Sequence, residues 1–442
     1  MKKVLLVGSG AREHAIAETL KRSPQLVHLY VFAKTRNPGI LHLSEGYELG
    51  DVMDMDAVKK YADTIRPDFA VIGPDDPIGA GLADELLTIG IPSVAPFKKS
   101  AQLESSKSFT RNLLEKYGIP GNPKFGVFSD IGDAKIFGEK LLAEGSELVI
   151  KADGLMGGKG VIVQGDHFHG LAEGLIFAEE SIKKFGRVVL EEKLIGQEFS
   201  LMSFADGIHT VEMPVVQDHK RAFEGDTGPN TGGMGTYSDR DHLLPFLRIE
   251  DVEQARTITR MVQEALRKEN NEFYQGIMYG GFIAVRDGVR LIEYNARFGD
   301  PEALNILPIL QSDFVEICEA MIDRSLDQIR IEFEPKATVC KYVVPNGYPS
   351  DPTKGEVLQL PLEIPPGVRM YYASVDEQEN GDLVLCGSRA VAFVGIGDTI
   401  KEAEQLAEKA ASHVVGPVFY RNDIGTTKLI DTRIAMMKKL RG

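Results

Sequence analysis

Glu293, Asn295 and Arg297 stand at alternate positions of the chain. In a strand over residues 291–297, period 2 puts these three on one face, with Ile292, Tyr294 and Ala296 on the other. A carboxylate and an amide oxygen side by side make half of a magnesium site, the remaining ligands being water and phosphate oxygens. Arg297 beside them can clamp a carboxylate or a phosphoryl group. The bland alternative is the wet face of an edge strand. The rigid turn residues that follow, at 298–302, favour the metal reading.

Three glycine-rich stretches carry the next signals. A strand at 148–150 runs into Lys151, then a loop at 153–160 (DGLMGGKG), then a second strand at 161–163. No helix follows the lysine as a P-loop requires, so the loop reads as a flexible lid over phosphates. Lys151 and Lys159 can then neutralise phosphate from two sides. Residues 224–235 (EGDTGPNTGGMG) hold five glycines in twelve positions. They fit neither period 2 nor period 3.6, so no regular strand or helix is expected there. Such a stretch is either backbone packed around a ligand with N–H groups aimed at an anion, or an ordinary surface turn. Near the start, an apolar run ends in Gly8, Ser9 and Gly10, followed by a helical pattern to Leu20. That is a mononucleotide-binding beginning, with Glu13 in place of the third glycine of a dinucleotide fingerprint. Arg12 and His14 can add contacts there, and packing or capping serves His14 equally well.

The elements that position these groups alternate strand and helix over residues 1–98, which implies a parallel, Rossmann-like sheet. Asp75 or Asp76, after the strand at 68–73, lies on the ligand rim of that sheet or simply caps a helix. Helices are expected at 79–90 and 100–117, and strands at 188–190, 338–344, 368–374 and 390–396, with an amphipathic helix at 399–415. Glu191, Glu192 and Leu194 follow the strand at 188–190. Backbone there can read an adenine edge and Glu198 a ribose hydroxyl, although paired Glu is more often solvated surface. The length of 442 residues suggests about three domains, and 43% hydrophobic with 26% charged residues is ordinary for a soluble globular chain. A net charge of −15 argues against nucleic acid as partner. Three scattered cysteines argue against disulfides, and no run reaches membrane-spanning length, so a soluble cytoplasmic enzyme is expected.

The blocks KADGLMGGKG (151–160), QDHKR (217–221), EGDTGPNTGGMG (224–235) and EYNARFGDPE (293–302), with GSGAREH (8–14), GPDDP (73–77) and QLESSK (102–107), resemble the phosphoribosylamine–glycine ligase family of the ATP-grasp superfamily. The likeness runs over essentially the whole chain. It implies an α/β and α+β architecture: an N-terminal parallel-sheet domain at 1–98, a central ATP-grasp fold at 99–325 with a mobile lid subdomain at about 120–192, and a small C-terminal α+β domain at 326–442. By resemblance Lys107 and Lys151 hold nucleotide phosphates, Gly158 and Lys159 belong to the lid, Glu191, Glu192 and Leu194 hold adenine, and Glu198 holds ribose. Glu293 and Asn295 match ligands of Mg²⁺, with Mn²⁺ as a substitute. Gly10, Arg12, His14, Asp75, Asp218, Lys220, Asp226, Pro229, Asn230, Thr231, Gly232, Gly233 and Met234 would surround glycine and 5-phosphoribosylamine, with Arg297 near the glycyl carboxylate. Ala11 and Asp75 depart from the glycine and glutamate usual in the family.

The implied reaction joins glycine to 5-phosphoribosylamine with ATP, through glycyl phosphate, in purine biosynthesis. Lys151 and Arg297 serve the transferring phosphoryl group, and Asp226 or Glu302 takes the amine proton unless the incoming phosphate oxygens do. A monomer or weak dimer is expected, with a transient hand-over of the short-lived aminosugar from the preceding purine-pathway enzyme as a further expectation.

Overall fold

The computed structural model describes residues 1–156 and 160–442. Its first sheet is parallel, in the order β3-β2-β1-β4-β5, from β1 (Lys2–Val7), β2 (Val27–Ala33), β3 (Gly46–Leu49), β4 (Phe69–Ile72) and β5 (Ser93–Val94). Val4 to Val7 are fully buried because helices cover both faces of the sheet. Gly8, at φ +117°, makes the turn out of β1, and a Cβ there would press on Glu13 and Pro74.

Two antiparallel sheets follow. The outer one, β6-β9-β7-β8, uses β6 (Phe125–Phe128), β7 (Leu148–Ala152), β8 (Val161–Val163) and β9 (Val188–Glu192). Helices Ile131–Ala143 and Leu171–Phe185 pack on it around Leu141, Leu148, Ile150, Ala178 and Leu190. The inner sheet, β11-β10-β16-β17, uses β10 (Gln197–Ala205), β11 (Thr210–Glu212), β16 (Gly276–Val285) and β17 (Gly288–Asn295). Every residue of β16 is buried, beneath the long helix Ile249–Asn270.

Beyond them come β12 (Gln217–Asp218), the hairpin β13 (Arg221–Phe223) and β14 (Thr227–Asn230), and β15 (Gly235–Ser238). The C-terminal region adds β18 (Ala337–Pro345), β19 (Val357–Leu358), β20 (Val368–Tyr372), β21 (Val375–Glu377), β22 (Leu383–Leu385), β23 (Val391–Gly397) and β24 (Val418–Phe419). The order β12-β15-β18-β23-β20 ties it into the central region through one shared sheet. The helix Ile400–Ala411 covers that sheet, its buried alanines lying on β23 and β18.

Three local expectations change. The helix expected at 79–90 is two, Asp75–Ala80 and Leu82–Leu87, because Gly81 turns left-handed at φ +103°. The helix expected at 100–117 is also two, Lys98–Ser105 and Lys107–Lys116, because Ser106 adopts extended backbone and caps the second through its side chain. Residues 224–235, expected to be irregular, contain β14 and the start of β15. Among the described residues no helix is long and apolar enough to cross a membrane, and the three cysteines are unpaired.

Candidate active site

A cleft of about 750 Å³ opens between the outer and inner sheets and reaches the N-terminal and C-terminal regions. At one end β7 presents Lys151 and β9 presents Glu191. The Glu191 carboxylate accepts from Arg111 Nε and Nη2 at 2.6 and 2.9 Å and pairs with Lys151 Nζ at 2.9 Å. Arg111 also donates to the carbonyls of Leu291 and Ile292, and Lys151 to that of Ile292 at 2.9 Å, which pins β7 and β9 to β17. Burial pushes the Lys151 pKa down, with the Glu191 charge the main opposing influence. Lys107 approaches from the N-terminus of its helix and donates to the Gly154 carbonyl at 2.9 Å. Gly158 and Lys159 lie outside the described residues. The beginning of their loop is held by Asp153, which accepts from Ser106 Oγ, from the Ser108 backbone and hydroxyl, and from Arg187.

Glu192, Leu194 and Glu198 line the cleft beyond Glu191. The Glu191 side chain faces Arg111 and Lys151, which leaves the backbone of 191–194 as the part of this edge open to a ligand. Glu192 is engaged with the Lys124 backbone through both its own N–H and its side chain.

At the opposite wall Glu293 and Asn295 project from the end of β17 into the cleft. Arg297 stands just past the strand, and its Nη2 returns to Asn295 Oδ1 at 3.2 Å and to Glu104 Oε1 at 3.2 Å. Burial alone would raise the Glu293 pKa, but the charges of Lys220, Lys107 and Lys151 outweigh it and hold the carboxyl below its ordinary value. Lys220 Nζ lies 3.8 Å from both Glu293 and Glu198. Its pKa is raised, because those carboxylates overcome the effect of burial. Asp218, beside it, is pushed well up by burial and by the neighbouring Glu302. Glu302 accepts from the Tyr279 hydroxyl at 2.8 Å. Among the described residues no three His, Cys, Asp or Glu side chains converge as a metal cage. The Glu293 carboxylate and the Asn295 amide oxygen are hard oxygen donors, of the kind that suit a cation keeping water or phosphate oxygens as its other ligands.

The glycine-rich stretch differs most from expectation. Thr231 and Met234 N–H donate to the carbonyls of Lys220 and His219, Gly232 N–H to the Tyr348 hydroxyl, and Gly233 N–H to Thr231 Oγ1. The four donors from Thr231 to Met234 are therefore already engaged. The glycines instead let other groups come close. A Cβ on Gly235 would lie 2.2 Å from the Cys340 carbonyl oxygen, and one on Gly233 would lie 2.7 Å from Asp218 Oδ1. Asn230, Thr231 and Gly232 line the cleft. Pro229 is exposed on β14, and the Met234 side chain is fully buried in the core. A substrate contact from the Met234 side chain is thus corrected.

Asp226 also requires correction as a proton acceptor. It stands at φ +56° at the hairpin tip and is paired with both Arg421, at 2.9 Å, and Arg433. Burial would raise its pKa, but Arg433 and the other nearby cations bring it to about 2. A carboxylate held so acidic is a poor base. At the N-terminal loop Arg12 and Asp75 line the cleft, whereas Gly10 and His14 do not. The Gly10 N–H donates to Glu13 Oε2 at 2.6 Å, so the side chain of Glu13 takes the place expected for a phosphate. His14 stacks on Tyr372, accepts from its N–H at 3.0 Å, and has its pKa lowered by burial to about 4. It joins the N-terminal and C-terminal regions, as Asn37 does by bonding both Ser9 and Tyr372 carbonyls. Sequence reasoning missed Arg111, Arg389 and Arg433, whose positions carry no local spacing signal, and left Glu104 without a role although it falls within the QLESSK block.

Two antiparallel sheets closing on a lysine-lined cleft, with a carboxylate–amide pair on the facing strand, define an ATP-grasp enzyme. Family models match nearly end to end: the phosphoribosylglycinamide synthetase N domain at residues 2–104, its ATP-grasp (A) domain at 105–303 and its C domain at 338–427. The chain belongs to the phosphoribosylglycinamide synthetase family, a family of ATP-dependent ligases. It is 48% identical to the phosphoribosylamine–glycine ligase of Methanococcus maripaludis over 99% of both chains. It also matches the crystal structure of the Thermotoga maritima phosphoribosylamine–glycine ligase with TM-score 0.79 and 27% identity, covering 95% of this chain and 99% of that one. The biotin carboxylase domain of Hydrogenobacter thermophilus 2-oxoglutarate carboxylase, at 15% identity, shares the fold alone, with TM-score 0.71 over 99% of this chain and 94% of that one.

Proposed function

We propose that this chain condenses glycine with 5-phosphoribosylamine, giving glycinamide ribonucleotide, ADP and phosphate, as a soluble enzyme of purine biosynthesis. The observation that carries the reading is the meeting of two walls. Lys151 and Lys107 stand at the phosphate end, while Glu293, Asn295 and Arg297 stand opposite them, beside Lys220 and Asp218.

A carboxylate does not acylate an amine at neutral pH, because oxide is a poor leaving group. Transfer of the γ-phosphoryl group to a glycine carboxylate oxygen makes glycyl phosphate. Attack by the aminosugar nitrogen on the carbonyl carbon then forms the amide and expels phosphate. Catalysis consists mainly of positioning and charge neutralisation. Lys151 and Lys107 neutralise the nucleotide phosphates, and Arg297 steadies the carboxylate that becomes the mixed anhydride. Asp218 and Lys220 face the acceptor, with Arg12 and Asp75 at the far end of the cleft. Glu293 and Asn295 would hold Mg²⁺, or Mn²⁺ in its place, which neutralises phosphate charge when bound. The amine proton passes to Glu302 or to the phosphate oxygens, Asp226 being occupied by its arginines. The working units are 1–98, 99–325 with a lid at about 120–192, and 326–442.

The test is ATP consumption by the purified chain with each substrate supplied alone and then together. ADP formation that requires both glycine and 5-phosphoribosylamine, matched by amide product, is expected. Turnover with another carboxylate–amine pair, and none with this one, would overturn the assignment.

A further inference from the structure

Arg389 lies between β22 and β23, in the C-terminal region, and its side chain enters the cleft. Its Nη1 donates to three carbonyl oxygens: Gly232 at 2.7 Å, Gly233 at 3.1 Å and Asp300 at 3.0 Å. Its Nη2 pairs with Asp300 Oδ2 at 3.0 Å. The guanidinium carbon sits 4.4 Å from the ring centroid of Tyr342, whose hydroxyl donates to Asp300 Oδ1 at 2.6 Å. A Cβ on Gly232 would lie 3.3 Å from that same carbon, so a side chain there would crowd the guanidinium.

These contacts join two pieces of backbone that are otherwise distant in sequence. One is the Gly232–Gly233 segment, where Gly233 abuts Asp218 of the acceptor wall. The other is the turn at Asp300, between Arg297 and Glu302. We propose that Arg389 is a positioning residue that sets the separation between the acceptor wall and the carboxylate-activating end of β17, a role that rests on the ligase reading above. On that reading the two reacting partners bind to different walls, and the amine must reach the acyl carbon within about 3–3.5 Å. Gly233 already packs against Pro301, beside Asp300, and one planar guanidinium with acceptors on both walls adds the directional tie that holds that contact in register. Lysine in its place would supply a point charge without the fork. The backbone carbonyls would then lose their common donor while the half-buried Asp300 kept a cation.

The experiment compares the parent chain with Arg389→Lys and Arg389→Ala in three readouts: ATP KM, kcat with both substrates, and ADP formed per amide product. Arg389→Lys is expected to lower kcat about 10²-fold, the penalty of roughly 1 Å of misplacement. ATP KM should stay within about twofold, because Arg389 makes no contact with Lys107, Lys151 or Glu191. ADP per product should rise, as glycyl phosphate meets water before the misplaced amine. Millimolar guanidinium should restore part of the Arg389→Ala activity and leave the parent unchanged. If Arg389→Ala fails to fold, Tyr342→Phe removes the hydroxyl that orients Asp300 and is expected to show the same kcat-weighted loss in smaller measure. Arg389→Lys turnover within threefold of the parent overturns the proposal, as does a loss expressed entirely in ATP KM or one that guanidinium leaves untouched in folded Arg389→Ala. A parent chain inert toward glycine and 5-phosphoribosylamine would instead overturn the ligase reading.

Discussion

Replacing Glu191 by Gln tests whether the buried triad serves nucleotide binding as proposed. The carboxylate is 3% exposed and answers two cations at once, Arg111 at 2.6 and 2.9 Å and Lys151 at 2.9 Å. Removing one partner of a buried pair costs about 3–5 kcal/mol. Arginine does not lose its proton in proteins. Lysine can, and burial already pushes Lys151 down, with Glu191 as the main opposing charge. Loss of the Lys151 proton is thus the cheapest relief. An ammonium–phosphate hydrogen bond contributes about 1.5–3 kcal/mol, so a neutral Lys151 raises ATP KM roughly 10- to 100-fold. The sign with pH follows. A lysine is charged below its folded pKa, and lowering that pKa makes the charge disappear sooner as pH rises. ATP KM of Glu191→Gln should approach the parent's at about pH 6 and diverge steadily toward about pH 9.5. Lys151→Met should be weak and flat across the same range. A Glu191→Gln profile parallel to the parent's, whatever its height, would refute the reasoning, because it would mean that Lys151 keeps its proton without Glu191.

Other outcomes follow from the same geometry. Glu293→Gln should raise the Mg²⁺ concentration for half-maximal turnover by about tenfold or more while leaving the fold intact, since it removes the anionic half of a two-ligand set; an unchanged Mg²⁺ titration would remove Glu293 from the metal site. Asp226→Asn should lower kcat by less than tenfold and keep the shape of its pH profile, whereas loss of a general base costs about 10²–10⁴-fold. The Asp226 carboxyl, at about 2 against an ordinary 3.8, adds about 2 kcal/mol of stability above pH 4. That part disappears as pH falls toward 2, and urea unfolding of Asp226→Asn at pH 3 and pH 6 should show its absence. His14, neutral in the fold with a pKa of about 4 against 6.5, favours folding above pH 6.5 and loses that contribution as pH falls toward 4. His14→Gln should therefore reduce the acid dependence of unfolding by about 1.4 kcal/mol per pH unit within that window, and an unaltered slope would place the titration elsewhere.

The parts legible in the sequence are those whose signal is local. Alternation alone put Glu293 and Asn295 on one face, and a strand that ends in a glycine turn is visible at Gly8 without a partner. The strands that flank residues 153–160 were legible because both runs are short and apolar. Arg111, Glu191 and Lys151 form one buried cluster, but sequence separations of 80 and 40 residues leave no periodicity to read. The substrates themselves came from the family resemblance; residue chemistry by itself stopped at phosphate, metal and carboxylate.

Residues 224–235 mark where composition misleads. A run of glycines says that something approaches the backbone closely, but it does not say what. At Gly235 the visitor is the Cys340 carbonyl of the adjacent strand β18, and at Gly228 it is the ring of Phe223 across the hairpin. The cleft is lined on this wall by Asp218 and Lys220 before the hairpin and by the short segment Asn230 to Gly232 after it. Asp226 follows the same logic. Its type suggested a base, yet its role was decided by Arg421, 195 residues away, and by Arg433 on the last helix. With Asp423 bonding the Gly225 N–H, the C-terminal region holds the hairpin tip while Arg389 holds its base, so both ends of the acceptor wall are set by residues that no motif in the wall contains.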